Sequence, residues 1–326
     1  PERAVMAVMT SGTTGIPKIL FRSFESWADF FAIQNAVFGV DADSRLFVQG
    51  SLAFTGNLNL YMGQLAAGGT LIAEDVFLPG KWEQVMARER ANGIYLIPSK
   101  LLMLPRVFKG VNANIRTIIS GSQSLGRKDA EVLKKIFPNT EITLYYGASE
   151  LNYITYVKSA DMTEERNLIG KPFPGVRVFI QDDEMYVDNA FHVENITVPY
   201  SLKDSGRMDL QGNFYFLGRT DDIVGVRGRK VSMMKIENAL EEVAGITEAA
   251  VVLLPKDADM PAEIVSAFVT VEGTDVPENL RQQLKEKLAD FEIPKRVIVL
   301  EAFPKNTSGK VDKARLKKMW IEQEPQ

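Results

Sequence analysis

The stretch Thr10-Ser11-Gly12-Thr13-Thr14-Gly15-Ile16-Pro17-Lys18 decides the reading of this chain. It follows an apolar run, residues 4–9, that reads as a buried strand. Its glycines let backbone N–H groups turn inward as an anion-binding nest. The hydroxyls of Thr10, Ser11, Thr13 and Thr14 add donors, and Lys18 adds a positive charge. A strand that runs into such a loop is expected to clamp a polyphosphate. The spacing G-x-x-x-x-G-K-[ST] is absent, so the loop is not of the Walker type. An ordinary polar turn is the competing interpretation, and the density of hydroxyl, glycine and lysine weighs against it.

Working outward, short apolar runs alternate with helical patterns. Strands are expected at residues 45–49, 70–73, 94–97, 117–120 and 142–146, and helices at 23–38, 81–92 and 127–137. Phe24, Trp27, Phe31, Ala32 and Val37 supply much of the apolar face of the first helix. The alternation predicts an α/β sheet covered by helices. After Gly170 the texture changes to short strands at 176–180, 184–187, 195–200 and 214–217, a small and mainly antiparallel β region. A third texture begins near Asp221. It has a helix at 235–243, strands at 248–254 and 264–271, a helix at 277–290 and a strand at 296–300. Pro277 suits the first turn of the second helix, and Leu280, Leu284 and Leu288 share its face. The expected fold class is α/β: a large N-terminal α/β domain with a small β region, residues 1–220, and a smaller, mobile α+β C-terminal domain, residues 221–326.

Composition excludes several classes of function. The 326 residues are 45% hydrophobic, enough for a sizeable core and too much for a disordered chain. The net charge of −4 is not the footprint of a nucleic-acid binder. With no cysteine and one histidine, disulfides, thiolate catalysis, cysteine-ligated zinc and a histidine-rich metal site are excluded. Any Ser-His-Asp triad must use His192, which matches no motif and reads as structural. No run approaches the ~18 apolar residues of a membrane span, and Pro1-Glu2-Arg3 carries no signal pattern. A cytoplasmic protein is the expectation. The chain also opens without an initiator methionine.

The nine-residue loop resembles the phosphate loop of the adenylate-forming superfamily, which includes acyl- and aryl-CoA synthetases, adenylation domains of peptide synthetases and beetle luciferases. Further motifs follow in the family's order across nearly the whole chain. Tyr146-Gly147-Ala148-Ser149-Glu150 is similar to the family's Y-G-x-T-E turn, with Ser for Thr. The resemblance implies that Tyr146 stacks on adenine, Ser149 touches phosphate and Glu150 binds Mg²⁺, a role that suits a hard oxygen ligand beside a triphosphate. Ser120-Gly121-Ser122-Gln123 occupies the place of the loop along adenine, with a simple strand-end turn as the alternative. Gly170-Lys171-Pro172-Phe173-Pro174-Gly175 resembles a G-x-P-x-P-G connector and reads as structural, two prolines stiffening a turn. The family's Thr-Gly-Asp triplet, whose Asp holds the ribose, aligns with Leu202-Lys203-Asp204. Only the Asp is kept, and another register places Arg207 there. Gly218-Arg219-Thr220-Asp221-Asp222 resembles the hinge motif, with Arg219 on ribose or phosphate and Asp221 as the hinge residue. Gly228 would line a pantetheine tunnel in a CoA-using relative. Pro304-Lys305-Asn306-Thr307-Ser308-Gly309-Lys310 resembles the P-K-T-x-S-G-K loop, which makes Lys310 the lysine of adenylation.

The resemblance implies an ATP-dependent acid–thiol ligase that takes ATP, Mg²⁺ and CoA or a phosphopantetheine thiol. Lys310, Glu150 and Lys18 would carry the first step. Ser51-Leu52-Ala53-Phe54-Thr55-Gly56-Asn57 occupies the acyl-pocket segment. Amino-acid-activating members commonly place Asp where Thr55 stands, to pair with an α-ammonium. Thr55 and Phe54 therefore favour a fatty, aryl or other simple carboxylic acid. The alternatives are a stand-alone enzyme that loads a carrier protein in trans, and a catalytically silent nucleotide-binding relative. Lys313, Arg315, Lys317 and Lys318 form a basic face, solvated or in contact with CoA phosphates. Relatives carry a substantial segment before the phosphate loop, so a short or N-terminally truncated member is expected.

Overall fold

The computed structural model describes residues 4–10, 18–52, 54–226, 228–256, 263–305 and 311–323. Contacts divide the chain into two compact units. One comprises Pro1–Leu202 with Gly206–Phe216, the other Lys203–Ser205 with Leu217–Gln326.

The first unit opens with an antiparallel pair, β1 (Ala4–Thr10) and β2 (Lys18–Ser23). Its main sheet starts with parallel strands β3 (Arg45–Val48), β4 (Thr70–Ala73), β5 (Gly93–Tyr95), β6 (Thr117–Gly121) and β7 (Glu141–Ala148). β8 (Asn152–Lys158), β9 (Leu168–Pro172), β10 (Arg177–Gln181), β11 (Glu184–Asp188), β12 (Tyr200–Met208) and β13 (Phe214–Arg219) extend it. The eleven strands lie in the order β10-β11-β12-β13-β9-β8-β7-β6-β5-β3-β4. The short strands after Gly170 thus continue the large sheet rather than form a separate region. Residues 195–199, expected as strand, lie outside any strand, and β12 begins at Tyr200.

Helices cross between the parallel strands: α3 (Thr55–Ala66), α4 (Pro79–Arg88), the short α5 (Pro98–Leu101) and α6 (Leu104–Val107), and α7 (Arg127–Ile136). The helix expected at 23–38 is two, α1 (Phe24–Ala28) and α2 (Phe31–Phe38). Ser23 caps α1, its hydroxyl accepting from the Ser26 N–H at 3.2 Å. The helix expected at 81–92 starts at Pro79, a residue preorganised for a first turn, and stops at Arg88. Alternate strand residues feed two cores. Phe47, Ile94, Ile118, Ile142 and Leu144 face one, while Leu46, Val48, Tyr95, Ile119 and Tyr145 face the other.

From β3 the chain passes outward to β4 and then returns to β5 on β3's other side. The strand order therefore reverses between β3 and β5. In open α/β sheets, the carboxyl ends of the strands at such a reversal form the ligand crevice.

The second unit holds the hairpin β14 (Ile223–Val226) with β15 (Arg229–Ser232) and a sheet of β16 (Ile246–Pro255), β17 (Glu263–Val271) and β18 (Arg296–Val299). Its helices are α8 (Met233–Glu241), α9 (Leu280–Lys285) and α10 (Lys313–Gln323). The helix expected at 277–290 is formed only over α9. Val251 packs with α8 and α9, and its neighbour Val252 with Leu316 of α10, so this sheet also buries both faces. Among the described residues no helix is long and apolar enough to cross a membrane.

Candidate active site

Three of the motif segments leave the carboxyl ends of β3, β6 and β7. At the end of β6, a Cβ on Gly121 would lie 2.4 Å from the buried Tyr145 ring, so only glycine fits there. Ser122 follows with φ 70°. The Tyr145 hydroxyl lies 2.8 Å from that of Tyr95, which donates to Asn57 Oδ1 at 2.9 Å. The Tyr153 hydroxyl donates to the Gly56 carbonyl at 2.8 Å. A cluster of buried phenols therefore supports the start of α3, where the segment expected to line the acyl pocket lies. Burial pushes Tyr145 up to about 12 and Tyr95 and Tyr153 well above the ordinary phenol range, so all three stay neutral in the folded state.

The turn from β7 to β8 carries the Tyr146–Glu150 motif. A Cβ on Gly147 would meet the Asn152 carbonyl at 2.6 Å, the close approach that shapes this hairpin. The Tyr146 ring lies 5.8 Å from that of Phe216. Thr55 is 7% exposed, and its hydroxyl is 3.0 Å from the Ser149 hydroxyl. The 51–57 segment and the 146–150 turn are thus in direct contact, across 94 positions of sequence. Phe54, beside Thr55, is 46% exposed. Glu150 is half-buried, and its carboxylate has no hydrogen bond or ion pair among the described residues. Its backbone carbonyl accepts from the Val193 N–H at 2.9 Å.

Behind this turn lies Arg22, fully buried in β2. Its guanidinium donates to the carbonyls of Ser149 at 2.9 Å, Phe191 at 2.7 Å and Ser26 at 3.1 Å. Burial lowers its pKa to about 10, against an opposing pull from Glu150, and it stays charged at neutral pH. Sequence reading missed Arg22, Tyr95 and Tyr153. A charged residue between Phe21 and Phe24, just past the loop, was the available signal.

β1 and β2 pair in register as far as Thr10 and Lys18, the two residues that bracket the loop. Ser11, Gly12, Thr13, Thr14 and Gly15 lie outside the described residues, as do the side chains of Thr10, Lys18 and Asp221, and Lys310. A backbone bridge between Lys305 and Val311 brackets the 306–310 segment.

Within the second unit, Asp204 is 8% exposed and lies 3.5 Å from Arg219 Nε. Two residues proposed for the ribose by separate motifs are therefore neighbours. The Thr220 hydroxyl donates to the Lys203 carbonyl at 2.9 Å, at the 3-10 turn Thr220–Asp222. Gly228 has φ 77° with open space around it, so the β14–β15 turn itself demands glycine. Lys313 pairs with Glu237 at 2.8 Å and Lys317 with Glu263 at 2.9 Å, so these two amines are engaged within the unit. His192 Nδ1 lies 2.7 Å from the Val193 carbonyl.

Among the described residues there is no cluster of three or more metal-ligating side chains. Magnesium characteristically takes one or two carboxylates plus substrate phosphates rather than an all-protein cage. Glu150, at the mouth of the sheet and without a hydrogen bond or ion pair among the described residues, suits that mode.

Two family models match the chain. Residues 1–190 match that of the AMP-binding enzyme, and residues 235–310 that of the AMP-binding enzyme C-terminal domain. The chain belongs to the AMP-binding enzyme family, the adenylate-forming superfamily, and is an AMP-forming ligase of the acyl-CoA synthetase type. It is 27% identical to an uncharacterized acyl-CoA ligase, YhfT, of Bacillus subtilis, across 100% of this chain and 70% of that protein. It is also 27% identical to a linear gramicidin synthase of Brevibacillus parabrevis, across 95% of this chain and 7% of that far longer protein. An ATP-bound RpMatB-BxBclM chimera superposes with a TM-score of 0.85 at 24% identity, over 98% of this chain and 68% of the chimera.

Proposed function

We propose that this chain activates a simple carboxylic acid with MgATP and passes the acyl group to the thiol of CoA. A carboxylate oxygen attacks the α-phosphorus, the bond to the bridging oxygen breaks, and pyrophosphate leaves with that electron pair. The thiol sulfur then attacks the acyl carbon, AMP leaves, and the thiol proton passes to solvent. The contact that carries this reading is Thr55 to Ser149 at 3.0 Å, which joins the acyl segment to the phosphate-motif turn.

Residues 10–18 would hold the β- and γ-phosphates, with Lys18 as their counter-charge. Tyr146 and the Gly121-Ser122 turn would flank adenine, and Asp204 with Arg219 would take the ribose. Glu150 would hold Mg²⁺, which when bound neutralises phosphate charge and orients the leaving group. Lys310, from the second unit, would follow the charge that develops on the carboxylate and α-phosphate oxygens. Rotation about Asp221 would then withdraw Lys310 and open a thiol path along Gly228. Thr55 offers no carboxylate for an α-ammonium, which supports a non-amino acid substrate.

Pyrophosphate release against a panel of carboxylic acids tests the first step. Equal rates with and without every acid would overturn the reading. Lys310→Ala is expected to lose at least ~100-fold in adenylation while thiolation of preformed acyl-AMP survives. Equal loss in both half-reactions defeats the two-conformation assignment. The likeness to a peptide synthetase supports a second acceptor, a carrier-protein phosphopantetheine, and comparison of free CoA with a holo-carrier separates the two.

A further inference from the structure

Arg22 joins three pieces of chain that are distant in sequence. It sits on β2, just past the residues that bracket the phosphate loop. Through Ser149 it holds the turn that carries Glu150, at 2.9 Å, and through Phe191 it holds the segment 189–194, at 2.7 Å. That segment is a strap. The Glu194 N–H donates to the Phe21 carbonyl at 2.7 Å, and the Val193 N–H donates to the Glu150 carbonyl at 2.9 Å. Asn189 Nδ2 donates to the Leu151 carbonyl at 3.1 Å. The backbone on both sides of the Glu150 carboxylate is therefore held, and Arg22 is the side chain common to the strap, the turn and the loop strand.

A fully buried guanidinium is a costly way to fill space. An apolar side chain of similar volume serves stability as well or better. What a guanidinium adds is a rigid fork that fixes several carbonyls in one geometry. Groups behind a metal ligand commonly fix its direction, and their removal weakens metal affinity.

We infer that Arg22 is a positioning residue for Glu150, setting the direction in which that carboxylate meets a divalent cation carried on nucleotide phosphates. This rests on the MgATP reading above. Neither a lysine nor a glutamine reproduces the fork, although lysine keeps the charge.

The test is calorimetric binding of a non-hydrolysable ATP analogue to the full chain, with Mg²⁺ and with a chelator in its place. Wild type, Arg22→Lys and Arg22→Gln are compared, with thermal unfolding recorded for each. The Mg²⁺-dependent gain in affinity is expected to fall about tenfold in Arg22→Lys, with metal-free affinity within about twofold of wild type. A folded variant with lowered Tm and an unchanged Mg²⁺ gain overturns the inference, because that is the signature of a purely structural role. If neither variant folds, Asn189→Ala loosens the strap at Leu151. A smaller loss of the Mg²⁺ gain then supports the inference, and no change overturns it. A wild type with no Mg²⁺-dependent binding at all refutes the nucleotide reading itself, which keeps the two failures distinguishable.

Discussion

The two faces of the main sheet are built from different chemistry. Under α4, α5, α6 and α7 the core is almost wholly hydrocarbon: Trp82, Met86, Leu101, Leu104, Leu133 and Phe137 pack on Ile94 and Ile118. Under α2 and α3 it is aromatic, with Phe30, Phe38, Tyr61, Tyr95, Tyr145, Tyr153 and Phe173. Polar side chains are buried on those helices as well. Asn59 accepts from Trp27 Nε1 at 2.6 Å and donates to Asn152 Oδ1 at 2.7 Å. Gln34 reaches the Asn59 carbonyl at 3.0 Å, and Asn35 reaches the Gly63 carbonyl at 2.8 Å. The first face holds by area alone. The second is directional, because each of these amides is held by a hydrogen bond to a named partner, although Gln34 Oε1, Asn35 Oδ1 and Asn152 Nδ2 are buried without one, and the 51–57 segment stands on that side.

Substitutions on the two faces are expected to part company. Trp82→Ala on the hydrocarbon face should cost about 3–5 kcal/mol in urea denaturation and leave the kcat of the folded fraction unchanged. Lost activity at full folding would break the division. Glu150→Gln at the sheet's mouth should do the reverse, with pyrophosphate release down at least ~100-fold and Tm nearly unmoved. Asn59→Leu keeps the shape but takes the acceptor from Trp27 Nε1 and leaves Asn152 Oδ1 only the Tyr153 N–H, a loss of about 1–3 kcal/mol by equilibrium unfolding. A neutral result would show the polar helices to be as forgiving as the other face.

The smallest effect is alkaline. Burial raises Tyr61 and Tyr145 to about 12, and Tyr95 and Tyr153 further. An unfolded tyrosine ionises near 10. Below that pH all four are neutral in both states and stability does not depend on them. As pH rises from about 10 towards 12 the unfolded chain releases protons first, so stability falls. Tyr95→Phe should shallow that fall, and an unchanged pH profile of Tm counts against the buried phenols.

Much of the fold is legible along the chain because parallel strands buried on both sides read as continuous apolar runs. β3, β5, β6 and β7 are of that kind. α3 is not legible, because Asn59, Gln64 and Thr55 turn inward and blur the helical period. Gln64 finds the Ser44 carbonyl at 2.6 Å, which no local pattern announces. The helix at 23–38 breaks at Asp29 and Phe30 although its apolar spacing continues. β12 hides because residues 200–208 mix lysine, aspartate, arginine and glycine in a strand of mixed burial.

By itself the sequence determined the family, the order of the motifs and the absence of cysteine. Those properties rest on residue types within a few positions of one another, where local backbone geometry suffices. The tertiary structure alone decided that Thr55 meets Ser149, that Asp204 meets Arg219, and that Arg22 reaches Ser149 across 127 positions of chain. Strand pairing and helix packing bring such partners together, and neither period nor propensity encodes which distant carbonyl a buried guanidinium will find.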